Sequence, residues 1–163
     1  MAKDSSFDIA SKIDLQEVDN ALHQTQKEID QRFDFKGANV NLRREGNSIV
    51  LQAEDEFKLR SVIEVLEAKL VKRKVPLKGL SYGKVEPAAS STVRQQASIQ
   101  QGIPIEKARE IVKRIKGMGL KVQVQIMEDQ VRVSGRSKDD LQTDIGELRK
   151  TDLGIDMQIT NYR

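Results

Sequence analysis

The sequence predicts an α+β protein of two tandem units, each running strand, helix, strand, strand, helix, strand. Three observations carry this. Apolar positions recur 82 residues apart without a gap, through Ile29/Ile111, Val40/Val122, Leu42/Val124, Ile49/Val131, Leu51/Val133, Leu59/Leu141, Ile63/Ile145 and Leu66/Leu148. A period this long marks one small domain duplicated rather than a solenoid repeat. Two stretches in each half alternate with the period of a strand, and two others space their apolar residues as helices do.

Each element follows from local chemistry. Phe7–Ser11 alternates as a short strand. Asp14 starts a helix, accepting from the Glu17 backbone while Glu17 reaches back, with Ile13 stapled onto Val18. Val18, Leu22, Ile29 and Phe33 extend that helix to about Phe33. Asn39–Arg43 and Ser48–Ala53 make a hairpin around Glu45-Gly46-Asn47, residue types that tolerate a tight turn. Asp55 caps a second helix with the stripe Leu59, Val62, Ile63, Leu66 and Leu70, and a strand near Gly79–Val85 follows.

The second half repeats the order. Val93–Gln101 is a strand, and Pro104 suits a first helical position because its missing N–H costs nothing there. Ala108, Ile111, Val112 and Ile115 form the inner face of the helix, and Gly117 ends it. Lys121–Met127 and Gln130–Gly135 turn at Glu128-Asp129. Ser137 caps the helix carrying Leu141, Ile145 and Leu148, in which Gly146 costs about 1 kcal/mol relative to alanine. Ile155–Thr160 closes the chain. This order is the ferredoxin-like arrangement, two helices on one face of an antiparallel sheet. Pro87–Thr92 reads as the linker between the units.

Composition narrows the function. The chain has 163 residues, 37% apolar and 33% charged, and a formal net charge of +3. No apolar run approaches the ~20 residues of a membrane span, and Met1–Phe7 lacks a signal-peptide core. The absence of cysteine excludes disulfides, thiolate zinc sites and a cysteine nucleophile, and fits a reducing cytoplasm. A single histidine, His23, excludes multi-histidine metal sites. Between Glu67 and Glu86 stand six cations (Lys69, Lys72, Arg73, Lys74, Lys78, Lys84) and no acid, a local positive field whose plain alternative is solvated surface.

Catalytic signatures are missing: there is no phosphate-binding P-loop, and Gly117-x-Gly119 is only a fragment of the dinucleotide pattern. Glu54-Asp55-Glu56 and Asp139-Asp140 occupy corresponding helix starts, where negative charge complements the helix dipole. The chain therefore reads as a non-enzyme without metal or cofactor. On the open sheet face, Gln123, Gln125, Arg132 and Ser134 point outward with no ring among them, so the base stacking of RNA-recognition motifs is absent.

Arg32-Phe33-Asp34-Phe35-Lys36-Gly37 is the densest constellation. Its cations and a ring suit a phosphate and a base; alternatively, both phenylalanines plug the core while the cations favour a helix C-terminus. Lys113, Arg114 and Lys116 make a second basic face, suited to phosphate contact or simply to solvent.

The chain resembles the YajQ-like bacterial proteins. The matching stretches include Ser6-Phe7-Asp8-Ile9, Gln16-Glu17-Val18, Arg32 to Gly37, Lys69-Leu70-Val71-Lys72-Arg73, Gln101-Gly102-Ile103, Lys121 to Ile126, Val131 to Gly135, Asp139 to Gln142 and Asn161-Tyr162-Arg163. The resemblance implies ferredoxin-like units that exchange their first strands. The first unit would cover 12–101, with the strand 90–101 packed into it; the second would cover 102–163, with the strand 5–11 packed into it. It also implies nucleotide binding: a purine nucleotide or cyclic di-GMP as effector ligand, with a protein effector as a further partner. The alternative reading is an RNA-associated accessory factor that binds tRNA through its basic faces. If that role extends to this chain, Arg32 and Lys36 beside Phe35, joined by Lys72 or Arg73, are expected to hold the phosphates. Lys113 and Arg114 are expected to matter less. The joining of these cations assumes that both helices of a unit end at one edge of its sheet.

Overall fold

A computed structural model describes residues 4–163; the first three residues of the Met1–Phe7 stretch lie outside them. The strands are β1 (Ser5–Ala10), β2 (Asn41–Glu45), β3 (Ser48–Ala53), β4 (Leu80–Tyr82), β5 (Glu86–Ala88), β6 (Thr92–Ile99), β7 (Gln123–Met127), β8 (Gln130–Gly135) and β9 (Gln158–Thr160). The helices are α1 (Leu15–Gln31), α2 (Glu56–Lys72), α3 (Ile105–Lys116) and α4 (Lys138–Lys150). The chain divides into two compact units, one formed by Ile13–Gln100, the other by Gln101–Arg163 together with β1.

In the first unit the sheet order is β2-β3-β6-β4, with β5 also paired to β6. In the second it is β7-β8-β1-β9. All pairs are antiparallel. Ile9 of β1 stands opposite Val131, and Ala97 of β6 stands opposite Ile49. Since Val131 and Ile49 are repeat mates, β1 and β6 hold equivalent places in the two sheets.

Two helices cover one face of each sheet. In the first unit Ile49, Leu51 and Ala53 of β3 meet Val18, Ala21, Leu22 and Ile29 of α1 and Leu59, Val62, Leu66 and Leu70 of α2. In the second, Phe7, Ile9, Val131 and Val133 meet Ala108, Ile111 and Ile115 of α3 and Leu141, Ile145 and Leu148 of α4. Side chains of a strand alternate between faces, so Val124 and Ile126 are half-buried while Gln123, Gln125 and Met127 are exposed.

Several local expectations need correction. Asp14 accepts from the Gln16 N–H, and the Glu17 carboxylate is drawn away by Arg73, so no reciprocal cap forms. Val65 is buried in α2, whereas Ile63 only packs partly against the core. Pro104 is the cap before α3 rather than its first residue. Pro87–Thr92 is not a linker: Pro87 pairs with Val93 and Ala88 with Thr92, turning the chain back onto β6 inside the first unit. The caps by Asp55, accepting from Lys58 N–H at 2.7 Å, and by Ser137, accepting from Asp140 N–H at 3.2 Å, form as the sequence indicates.

Candidate nucleotide-binding groove

The densest sequence constellation forms a tight corner. α1 stops at Gln31 because Arg32 turns extended (φ −80°, ψ 133°), and Phe33–Phe35 then makes one 3₁₀ turn. The Lys36 N–H donates to the Phe33 carbonyl at 3.1 Å, and Gly37 follows at φ +78°, a conformation that favours glycine. This turn separates the two rings. Phe35 is buried at 4% exposure, and Phe33 stands 87% exposed, so only one of the two plugs the core.

Around Phe35 the charges are already engaged. The Arg32 guanidinium carbon lies 5.2 Å from the ring centroid and the Lys58 Nζ 5.1 Å from it, both at cation–π distance. Lys58 also donates to the Asp34 carbonyl. Arg32 holds Asp34 through two bonds, 3.0 and 2.8 Å, and its Nη1 lies 3.5 Å from Glu28. The hydrogen bond from Lys69, 2.9 Å away, leads the effects that hold the Glu28 carboxyl below its usual range. Arg32 therefore serves two acids before any phosphate arrives. Lys36 is exposed beside it.

Lys72 and Arg73 do not join this corner. Arg73 reaches Glu17 at 3.2 Å and Gln24 at 3.4 Å, whereas Lys58, in the first turn of α2, meets Asp34 beyond the end of α1. The two helices therefore run antiparallel: Arg73 after the end of α2 meets Glu17 in the first turn of α1, and Lys58 in the first turn of α2 meets Asp34 beyond the end of α1. A helix of 17 residues is about 25 Å long. The cations after α1 and after α2 thus lie at opposite ends of the pair, and the expected convergence fails.

The second basic face has a different setting. Lys113 and Arg114, in the last turn of α3, border a groove of about 580 Å³ shared with Glu110, Glu147, Met118 and Leu153. Arg114 is steadied by Thr151, Nη2 to Oγ1 at 3.3 Å, and Thr151 donates in turn to the Glu147 carbonyl at 2.8 Å. Lys113, Arg114 and Lys116 are all exposed, and Lys116 does not border the groove. The volume lies within the range of small-molecule sites. Two cations suit phosphate oxygens, Met118 and Leu153 offer apolar contact to a flat ring, and the carboxylates can accept from ring amino groups. The sequence indicated the cations but not the groove, because Met118 and Leu153 lie outside the helical periodicity.

Two smaller hollows mix signs of charge. One, about 350 Å³, sets Lys121 and Arg136 against Asp4 and Asp140; the other, about 280 Å³, sets Lys84 and Arg94 against Glu86. On the second sheet's helix-free face, Arg132 Nε meets Asp8 at 2.9 Å and Asn161 donates to Asp8 at 2.9 Å. Among the described residues no group of three His, Asp or Glu is placed to hold a metal ion. His23 is exposed, and no described helix is long and apolar enough to cross a membrane.

The fold is that of a two-unit α+β protein, each antiparallel sheet covered on one face by two helices. The chain belongs to the family described as nucleotide-binding protein YajQ-like, whose model matches residues 5–163. It is 59% identical over 163 residues to a nucleotide-binding protein of Desulfitobacterium hafniense (strain DSM 10664 / DCB-2), with both chains covered in full. A nucleotide-binding protein of Solibacter usitatus is 56% identical over 162 residues, 98% of each chain. One from Heliobacterium modesticaldum is 53% identical over 163 residues, covering all of this chain and 99% of that one. The family description names binding and no reaction.

Proposed function

We propose that this protein is a non-enzymatic, cytoplasmic nucleotide-binding effector that holds a purine nucleotide or a cyclic dinucleotide such as cyclic di-GMP in the groove between α3 and α4. The observation that carries this reading is the pairing of Lys113 and Arg114 with Met118 and Leu153 around one hollow. Phosphates meet cations that do not already serve two acids, unlike Arg32, and the base rests on apolar side chains. The scaffold is read as two ferredoxin-like units that exchange first strands, supported by β1 pairing with β8 and β9 and by β6 pairing with β3 and β4.

A second reading has one observation of its own. Phe33 and Phe57 are 87% and 66% exposed at the end of the helix pair where Lys36 also stands. Exposed rings beside cations suit unpaired bases of an RNA such as tRNA. A calorimetric panel of ATP, GTP, cyclic di-GMP and tRNA separates the two. Selective micromolar binding of one small nucleotide supports the groove reading. Binding of tRNA alone, collapsing as salt rises, supports the second, because counterion release dominates such affinity.

A further inference from the structure

We propose that Asp144 makes the second unit proton-responsive: the unit is tightest while this carboxyl is neutral and loosens around α4 when it ionises. The position is the repeat mate of Val62, which is fully buried in the first core. Asp144 is also fully buried, and neither of its carboxylate oxygens has a hydrogen-bond partner. A carboxylate thus stands where the duplicated fold places a valine.

Among the described residues no surrounding element gives Asp144 a hydrogen bond or an ion pair. α4 packs on β1 and β8, which turn Phe7, Ile9, Val131 and Val133 toward the helices. Their ionic residues, Asp8 and Arg132, lie on the opposite face and bond each other. From α3, Lys107 and Glu110 pair at 3.5 Å, Arg114 binds Thr151, and Lys113 borders the groove. In the closing segment, Asp152 accepts from the Gly154 N–H and Asp156 accepts from Gln158. On α4 itself the Asp140 carboxylate, one turn away, acts with the same sign, and Glu147, Arg149 and Lys150 are exposed.

Burial first, and the Asp140 charge second, raise the Asp144 pKa to about 6. In the unfolded chain an aspartate titrates near ~3.9. Between these values the unfolded chain releases its proton while the folded unit retains it, so stability falls as pH rises from about 4 to about 6 and then levels off. Acidification from about pH 6 towards 4 would therefore firm the helix that carries Glu147. The proposal rests on the surroundings of Asp144 and stands independently of the ligand reading.

The test uses the full chain, with carboxyl NMR and amide hydrogen exchange resolved along α4, β1 and β8 at pH 4.5 and 7.5, corrected for intrinsic rates. Asp144 is expected to titrate near pH 6. Opening of the α4 amides is expected to rise about ten- to a hundredfold with pH relative to Asp144→Val and Asp144→Asn, neither of which can ionise there. Should the valine variant fold poorly, the asparagine variant and the wild-type titration still decide. A titration midpoint near 4, or the same pH dependence in wild type and variants, overturns the proposal.

Discussion

The Arg73 guanidinium lies 3.2 Å from the Glu17 carboxylate, tying the end of α2 to the first turn of α1. This contact explains why the cations that follow the two helices serve different ends of the unit. It also shows what Arg73 does: it braces a helix pair. With both side chains about one-third exposed, Arg73→Ala should lower stability by only about 0.5–1 kcal/mol, measured by urea unfolding. Nucleotide affinity should be unchanged, and a tenfold loss would return Arg73 to the binding site.

Ile145→Ala should be more damaging than Ile63→Ala, although the two are repeat mates. Ile145 is 6% exposed inside its core, while Ile63 packs only partly against the other. The expected cost is about 2–5 kcal/mol for Ile145 and about half that for Ile63. Equal losses in denaturant unfolding would mean that Ile63 is buried as deeply as its mate.

Gly146→Ala should stabilise the protein by about 0.5–1 kcal/mol. Gly146 sits inside α4, and an added Cβ would meet nothing within 4 Å. A rise in melting temperature checks this; a fall would mean that the exposed side of α4 is covered by something in solution.

Acid should weaken the second sheet through Asp8. The hydrogen bond from Arg132 is the largest influence on its carboxyl and lowers the pKa, burial opposes it, and the Asn161 bond assists. A folded pKa below the unfolded value gives stability that is present above the ordinary carboxylate range and lost as pH falls below that range through the lowered pKa. Asp8→Asn should cost about 1–3 kcal/mol at pH 7 and progressively less as pH falls below the ordinary carboxylate range to pH 3. A cost that stays constant between those pH values contradicts the assignment.

The fold was legible where physics is local. Alternation in Val122 to Met127 and Gln130 to Gly135 could only satisfy a sheet covered on one face, and Asp55 and Ser137 announced their helices. The arrangement at the candidate sites was less legible because it depends on direction and on turns. Phe33 and Phe35 both fit a helix end by spacing, and a single 3₁₀ turn decides which ring is buried. Arg32 and Arg73 look alike in charge and setting until the antiparallel run of α1 and α2 separates them. Asp144 was detectable: the 82-residue repeat sets it beneath Val62, a mismatch between an acid and a core position that helical periodicity alone conceals.

The central claim is that the groove between α3 and α4 holds the nucleotide. It is tested most directly by calorimetry of whichever small nucleotide the wild-type protein binds, repeated on two charge-matched double variants. Lys113→Ala with Arg114→Ala should weaken binding by about 2–4 kcal/mol, taking ~1–2 for each charge-assisted contact, while leaving the fold intact by circular dichroism. Arg32→Ala with Lys36→Ala should leave affinity within a factor of about three, less than ~0.7 kcal/mol. Unchanged affinity in the first pair, with loss in the second, would contradict the account.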